Sequence, residues 1–239
     1  MQTAFRDGDL AEEATWQAVV LIPKGKKDYR GIGLVEVMWK VVVAILNRHF
    51  TASITYYGAL RGFRAGLGTG TATLEAKLLQ QLAALREEVL YVIFLDLHKA
   101  YDALDRSRCL EILEGYGVGP KARRLLTNYW RRLTMVDRAG GYYGKEFGGE
   151  RVLMQGDPLS PTIFNVVVDA VFRRWVHGMM EDAEARGETG QEVRHQAELF
   201  YANDGMVVSS DPAWHQGGKC ALEPGGVRRD DHAVVGVKE

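Results

Sequence analysis

The chain has 239 residues, of which 46% are hydrophobic and 26% charged, with a formal net charge of −1. Its size and composition allow a sizeable core in one or two domains, and its two widely separated cysteines, Cys109 and Cys220, exclude a disulfide scaffold or a zinc site of the usual spacing. Near-neutral charge excludes a global attraction to phosphate, so any contact with nucleic acid must come from local basic patches.

The N-terminus is acidic (Asp7, Asp9, Glu12, Glu13), shows no signal-peptide pattern, and no apolar run reaches membrane-spanning length, so an intracellular, soluble protein is expected. From Trp16 to about Val89, the first element is the strand-like run Ala18 to Ile22, stopped by Pro23 and followed by Lys24-Gly25-Lys26-Lys27-Asp28. This pattern predicts a β-hairpin with a basic tip. Lys24, Lys26, Lys27 and Arg30 could bind a triphosphate through charge-assisted hydrogen bonds; a solvated surface run is the alternative. Leu34, Val37, Met38, Val41 and Ile45 recur at helical spacing toward Arg48 and predict a helix with these residues as its apolar face. Gly62 to Gly70 reads as a glycine-rich loop, with Thr71 or Thr73 capping a helix whose apolar face carries Leu74, Leu78, Leu82 and Leu85.

From about Leu90 to Ser210 there are strand-like runs at Tyr91 to Leu95, Glu198 to Tyr201 and Met206 to Val208, with helical stretches between. Irregular alternation of strands and helices predicts an α+β architecture. Cys109, among Leu110, Ile112 and Leu113, reads as a small buried side chain. Lys121, Arg123, Arg124, Arg131, Arg132 and Arg138 fall on a stretch whose Leu125, Leu126, Tyr129 and Leu133 would face a core, leaving a basic surface able to track a nucleic-acid backbone or simply to be solvated. The histidines are scattered without metal spacing, and from Asp211 onward no period remains, which reads as loop or disorder.

Three segments carry chemistry. Asp96 ends a nearly continuous apolar strand, where a carboxylate needs a cation or donors. Asp102 and Asp105 can cap the helix that follows, which leaves Asp96 open for metal; capping a turn is its other reading. Gln155-Gly156-Asp157-Pro158-Leu159-Ser160-Pro161 is a loop-to-helix start, with Ser160 and Pro161 suited to the cap and first helical positions of the run Ile163 to Phe172. Glu198 to Val208 is a β-hairpin pattern with Ala202, Asn203, Asp204 and Gly205 at its turn.

These three segments, in this order, resemble the palm motifs of reverse transcriptases of the group II intron and non-LTR retroelement type. Phe94-Leu95-Asp96-Leu97-His98-Lys99-Ala100-Tyr101-Asp102 is similar to the first motif, the Gln155 turn to the second, and Tyr201-Ala202-Asn203-Asp204 to the third, Tyr-x-Asp-Asp. The basic hairpin, with Tyr29-Arg30, and Gly62-Phe63-Arg64 resemble the family's fingers. The resemblance covers Trp16 to Asp211.

It implies a right-hand polymerase fold of fingers and palm, with an antiparallel palm sheet backed by helices and the thumb missing. The implied division is fingers at 16–89, a first palm segment at 90–111, a connection with the basic helix at 112–150, a second palm segment at 151–211 and an irregular tail at 212–239. Two Mg²⁺ ions, or Mn²⁺, would be held by Asp96, Asp204 and the Leu97 carbonyl. Tyr101 would be the steric gate against a ribose 2′-hydroxyl, and Gln155 and Gly156 would approach the incoming nucleotide and the templating base. Lys24 and Arg30 would bind its phosphates, and Arg123, Arg124, Arg131 and Arg132 the nucleic acid. The implied partners are an RNA template, a DNA primer and dNTPs.

The sequence departs from the pattern at two places. Gly31 stands where the family has proline, which would loosen the strand. Asn203 replaces a carboxylate, so the expectation is a truncated polymerase domain with severely impaired or absent catalysis, the alternatives being an inactive nucleic-acid-binding remnant or a fragment without function.

Overall fold

A computed structural model describes residues 6–8, 10–25, 29–97, 101, 103–139, 141–148, 153–185, 196–209 and 235–238. Lys26, Lys27, His98, Asp102, Cys220 and most of the tail lie outside the described residues. The chain divides into two compact units, Met1–Thr55 with Tyr101–Val166 and Tyr56–Ala100 with Val167–Glu239.

The first unit is built on a four-stranded sheet of order β2-β1-β4-β5. Strands β1 (Trp16–Pro23) and β2 (Tyr29–Val35) form the expected hairpin, paired without interruption from Gln17↔Val35 to Pro23↔Tyr29. Gly31 sits in that ladder opposite Leu21, and the pairing with β1 runs through it without a break. Pro23 falls beyond the Trp16–Val20 segment that pairs with β4 (Thr134–Ala139), where its missing N–H costs no bond to that neighbour. β4 runs parallel to β1 and antiparallel to β5 (Tyr142–Phe147).

The basic stretch corrects one expectation. Its helix ends at Arg132, and Arg138 lies on strand β4, because Thr134, Met135 and Val136 favour an extended pleated surface and Met135 and Val136 are buried there.

Helix α1 (Val37–Ser53) forms where expected but turns the other way. Trp39, Val42, Val43, Leu46 and Phe50 are buried, whereas Val37, Met38, Val41 and Ile45 are exposed. Both faces are apolar, so periodicity alone could not choose, and the face bearing Trp39 and Phe50 buries the larger area. Helix α3 (Arg106–Gly115) is capped by Asp105, whose carboxylate accepts from the N–H groups of Ser107 (2.8 Å) and Arg108 (3.1 Å). Cys109 is buried within α3 and its thiol is pushed up to about 12 by burial. Helix α4 (Pro120–Arg132) buries Leu125, Leu126 and Tyr129, with Leu133 just beyond, as its spacing predicts.

The second unit carries an antiparallel sheet of order β6-β7-β3-β8. Its strands are β3 (Tyr91–Leu97), β6 (Gln196–Tyr201), β7 (Asp204–Ser209) and β8 (Val235–Lys238). β8 lies in the tail that had no readable period and pairs with the edge of β3, from Phe94↔Lys238 to Leu97↔Val235. Helix α2 (Thr69–Leu85) starts earlier than the sequence suggested: Gly68 holds the N-cap, and Thr71 lies inside the first turn, where its hydroxyl accepts from the Gly68 N–H (2.9 Å). Its leucines are a second correction: Leu74, Leu78, Leu82 and Leu85 are exposed and only Ala83 is buried. Leu78, Leu79 and Leu82 line an open groove of about 580 Å³ whose other side is Glu198 and Leu199 of β6, so they wall a groove instead of closing a core.

Helix α5 (Ser160–Ala185) begins in the first unit and continues in the second, burying Ile163, Phe164, Val167, Val168 and Phe172 but leaving Val171 exposed. Among the described residues no helix is long and apolar enough to cross a membrane.

Candidate active site

In the second unit, β3 presents Ile93 and Leu95 to the interior and Val92 and Phe94 to the open face. Alternation places half-buried Asp96 on the open face with Val92 and Phe94. β7 pairs with β3 in the register Phe94↔Met206, Leu95↔Gly205, Asp96↔Asp204. Directly opposite residues of an antiparallel pair project from the same face with Cβ atoms about 4.5–5.5 Å apart. The strand-end aspartate and the hairpin aspartate therefore stand side by side. Asn203 is the last residue of the two-residue turn, and its carbonyl accepts from the Leu97 N–H (2.9 Å), which ties the hairpin tip to β3 one residue beyond the aspartates.

The tip is braced from a third side. Phe200 N–H donates to the Ala59 carbonyl (2.8 Å), and the Phe200 carbonyl accepts from Arg61 N–H (2.7 Å) and Gly62 N–H (3.3 Å), around a parallel bridge Leu60↔Phe200. Ala202 adopts φ +55°, and a Cβ on Gly62 would lie 2.5 Å from the Ala202 nitrogen. Backbone thus rests on backbone there, and no side chain fits between. Beneath it the Phe200 ring meets Phe172 of α5 edge-on at 4.2 Å. The glycine-rich segment read as a fingers loop is in this unit the support of the hairpin tip. The preceding residues are anchored by buried Asp169, which accepts from the Tyr57 N–H and pairs with Arg173 (2.7 Å).

In the first unit, the Gln155–Pro161 turn leans on the open edge of β2. The Gln155 carbonyl accepts from Gly33 N–H (2.7 Å). Gly156 has φ +104°, and a Cβ on it would lie 2.2 Å from the Gly33 carbonyl oxygen. Asp157 is buried; Oδ1 accepts from Leu159 N–H (2.9 Å), and Oδ2 from Trp39 Nε1 (2.9 Å) and the Tyr129 hydroxyl (3.3 Å). Burial raises its pKa, opposed by these hydrogen bonds and by the Arg106 guanidinium. Tyr129 stacks on Trp39 with ring centroids 3.5 Å apart and takes a hydrogen bond from Gln17. Tyr101, half-buried, stacks on Phe164 at 4.7 Å, its hydroxyl pushed up to about 12 by burial.

Lys24 and Arg30 are exposed near the end of the β1–β2 hairpin. The four arginines of the basic helix divide. Arg123 bonds the Val118 carbonyl (3.1 Å) and Glu114 (2.6 Å), and Arg132 bonds the Leu10 carbonyl (2.9 Å). Arg124, Arg131 and Arg132 are exposed, and Arg131 donates to the Asn128 side-chain oxygen (3.4 Å).

The structural supports of the candidate site missed in sequence are Asp157, Asp169 and Gly62. A buried carboxylate leaves no mark in sequence apart from its partners, and beyond the local ones, Leu159 and Arg173, these are 28 and 118 residues from Asp157 and 112 from Asp169.

Two carboxylates opposed across a ladder repel unless a cation offsets them. Asp96 and Asp204, with main-chain carbonyls nearby, form a hard oxygen set of the kind that holds Mg²⁺ through one or two carboxylates plus a substrate's phosphates. No group of three or more His, Cys, Asp or Glu side chains able to hold a metal occurs among the described residues.

A family model described as reverse transcriptase (RNA-dependent DNA polymerase) matches residues 22–222. The chain is 28% identical over 171 residues to the retrovirus-related Pol polyprotein of the type-2 retrotransposable element R2DM of Drosophila melanogaster, covering 70% of this chain and 16% of that protein. To the Pol polyprotein of the type-1 element R2 of Popillia japonica it is 27% identical over 168 residues, 69% of this chain and 21% of the relative. The chain thus spans about a fifth or less of the length of these relatives. In structure it resembles telomerase of Candida tropicalis, with a TM-score of 0.65 at 14% identity over 95% of this chain and 49% of the other. It also resembles the RNA-dependent RNA polymerase of bacteriophage phi12, with a TM-score of 0.57 at 11% identity over 98% and 43%. The shared fold is that of polymerase fingers and palm, and the chain belongs to the reverse transcriptase (RNA-dependent DNA polymerase) family.

Proposed function

We propose that this chain is a template-directed nucleotidyl-transfer domain, adding dNTPs to a primer 3′-hydroxyl on an RNA template, with its rate cut severely by Asn203. The observation that carries this reading is the register Asp96↔Asp204, which supplies two carboxylates on one open face with a neutral amide next to them. Two Mg²⁺ ions, or Mn²⁺, held by Asp96, Asp204 and the Leu97 carbonyl would activate the primer hydroxyl and offset charge on the leaving pyrophosphate. In this reading Lys24 and Arg30 hold the triphosphate, Tyr101 excludes a 2′-hydroxyl, and the Gln155–Gly156 backbone contacts the nucleotide and template. Asn203 offers only a neutral carbonyl, so the site carries one negative charge fewer than the Tyr-x-Asp-Asp pattern would give the two divalent ions.

The test is primer extension on primed RNA with Mg²⁺ or Mn²⁺, comparing the native chain with Asn203→Asp. The variant should extend faster by on the order of a hundredfold, the range expected when a charged group at a reacting centre is restored. Equal rates would remove the impairment. If neither chain extends a primer, the polymerase reading fails.

A second reading is favoured by the same asparagine together with exposed Arg124 and Arg131: a nucleic-acid-binding domain without catalysis. Salt-sensitive binding to primed RNA, with no extension by either chain, supports it.

A further inference from the structure

The turn that follows Gln155 is held by several polar contacts. Asp157 N–H donates to the Met154 carbonyl (3.2 Å) and Ser160 N–H to the Asp157 carbonyl (3.1 Å), so the main chain is closed on both sides of the carboxylate. Oδ2 then reaches α1 through Trp39 Nε1 (2.9 Å), while two residues earlier the Gln155 carbonyl reaches β2 through Gly33 N–H (2.7 Å). Gly33 and Trp39 are six residues apart on one continuous stretch of chain. The turn is thus fastened to the β2–α1 segment at two points, and Gly156 lies between them with its Cα against the Gly33 carbonyl. The indole that makes the second fastening is itself held: Tyr129 stacks on it at 3.5 Å, and Gln17 donates to the Tyr129 hydroxyl. A carboxylate buried to 7% exposure costs free energy that a purely apolar contact would not, even when several donors meet it.

We propose that Asp157 is a positioning residue for nucleotide binding, fixing the pose of Gln155 and Gly156 on β2 through its bonds to Trp39 and Tyr129. The proposal rests on the reading of Gln155 and Gly156 as nucleotide contacts. Asp157 itself touches only protein, so its loss acts on affinity for the nucleotide and not on the chemical step.

The test uses the Asn203→Asp chain as background and two variants chosen to keep shape. Asp157→Asn retains an acceptor for Leu159 N–H but turns an amide nitrogen toward the Trp39 N–H. Trp39→Phe keeps an aromatic ring on Tyr129 and removes the donor together with the second ring of the buried indole. Each should raise the KM for dNTP roughly tenfold, the scale of one lost charge-assisted bond, and leave kcat within about twofold. The double variant should fall short of the sum of the two single effects, since both remove the bond between Trp39 and Asp157. In the same variants the Gly33 amide should exchange with solvent roughly tenfold faster or more, while amides of the β1–β4 ladder keep their protection.

Additive effects in the double variant, a loss confined to kcat, or unchanged protection of Gly33 would each overturn the proposal. If the Asn203→Asp background does not polymerise, the functional reading fails on its own terms. Exchange at Gly33 then still decides whether Asp157 holds the turn: faster exchange in both variants sustains the positioning, and native protection refutes it.

Discussion

Replacing Gly156 by alanine tests the fastening of the Gln155 turn to β2 most directly. The glycine has φ +104°, a region that costs a residue with a side chain about 1–3 kcal/mol. The added Cβ would also lie 2.2 Å from the Gly33 carbonyl oxygen, a backbone atom that cannot swing aside as a side chain could. Restoring ordinary contact requires the turn to move off β2 by about 1 Å, which stretches the 2.7 Å bond from Gly33 N–H to Gln155 and forfeits about 1 kcal/mol. The sum is about 2–4 kcal/mol, a large part of the ~5–15 kcal/mol that a folded domain commands. Urea unfolding followed by tryptophan fluorescence should show the midpoint lowered by on the order of 1 M. Gly178→Ala is the matched control: it sits inside α5, a Cβ there meets nothing within 4 Å, and helix propensity should make it more stable by up to about 1 kcal/mol. A Gly156→Ala chain that unfolds at the native midpoint would refute the close approach of turn and strand.

Two further outcomes are expected. Burial in the α2–β6 groove raises Glu198 above its ordinary 4.5, so the folded chain holds a proton there that the unfolded chain has released; stability should fall as pH rises from about 4.5 through the folded value, and Glu198→Gln should gain stability at pH ~7 but not below ~4.5, read as urea midpoints across that range, with an unchanged profile counting against it. Arg124→Ala with Arg131→Ala should lower the slope of log K against log salt for RNA binding by about 0.7–0.9 per lost phosphate contact, measured by fluorescence anisotropy, whereas Arg123→Ala should act mainly on stability because its guanidinium is spent on Glu114 and Val118; an unaltered slope in the double variant would remove α4 from the binding surface.

The parts of the fold legible in sequence were those whose signal is local. The β1–β2 hairpin, the β6–β7 hairpin and the start of α5 each announce themselves through a turn flanked by apolar runs, and the order of Asp96, the Gln155 turn and Tyr201 to Asp204 carried the family. Elements whose placement depends on competition between faces were not legible. In α1 two apolar faces compete, and Trp39 with Phe50 outweighs Val37, Met38, Val41 and Ile45 through area alone. In α2 the regular leucine spacing signals amphipathicity but cannot say whether a partner element covers it. The β4–β5 hairpin was hidden because a basic run continues from α4 into β4, and charge has no period that distinguishes helix from strand. At the site, the facing of Asp96 and Asp204 follows from motif order, whereas the contact of Gly62 with Ala202 and the bond of Asp157 to Trp39 join residues more than a hundred positions apart.

What holds the hairpin tip also bears on what Asn203 costs. Asp204 is placed opposite Asp96 by the β3–β7 ladder, by the bond from Leu97 N–H to the Asn203 carbonyl, by the backbone contact of Gly62 with Ala202 and by the Phe200 ring against Phe172. Every one of these uses main chain or apolar surface, and none uses the side chain at position 203. A third carboxylate at this tip would add like-charge repulsion to a pair already opposed across the ladder, so asparagine favours the folded hairpin while lowering the negative charge that divalent cations require. Geometry and charge at this site are therefore separable. On the proposed reading, the residue that weakens the chemistry leaves its scaffold intact, and for that reason one substitution, Asn203→Asp, is enough to ask whether the remaining groups form a polymerase site.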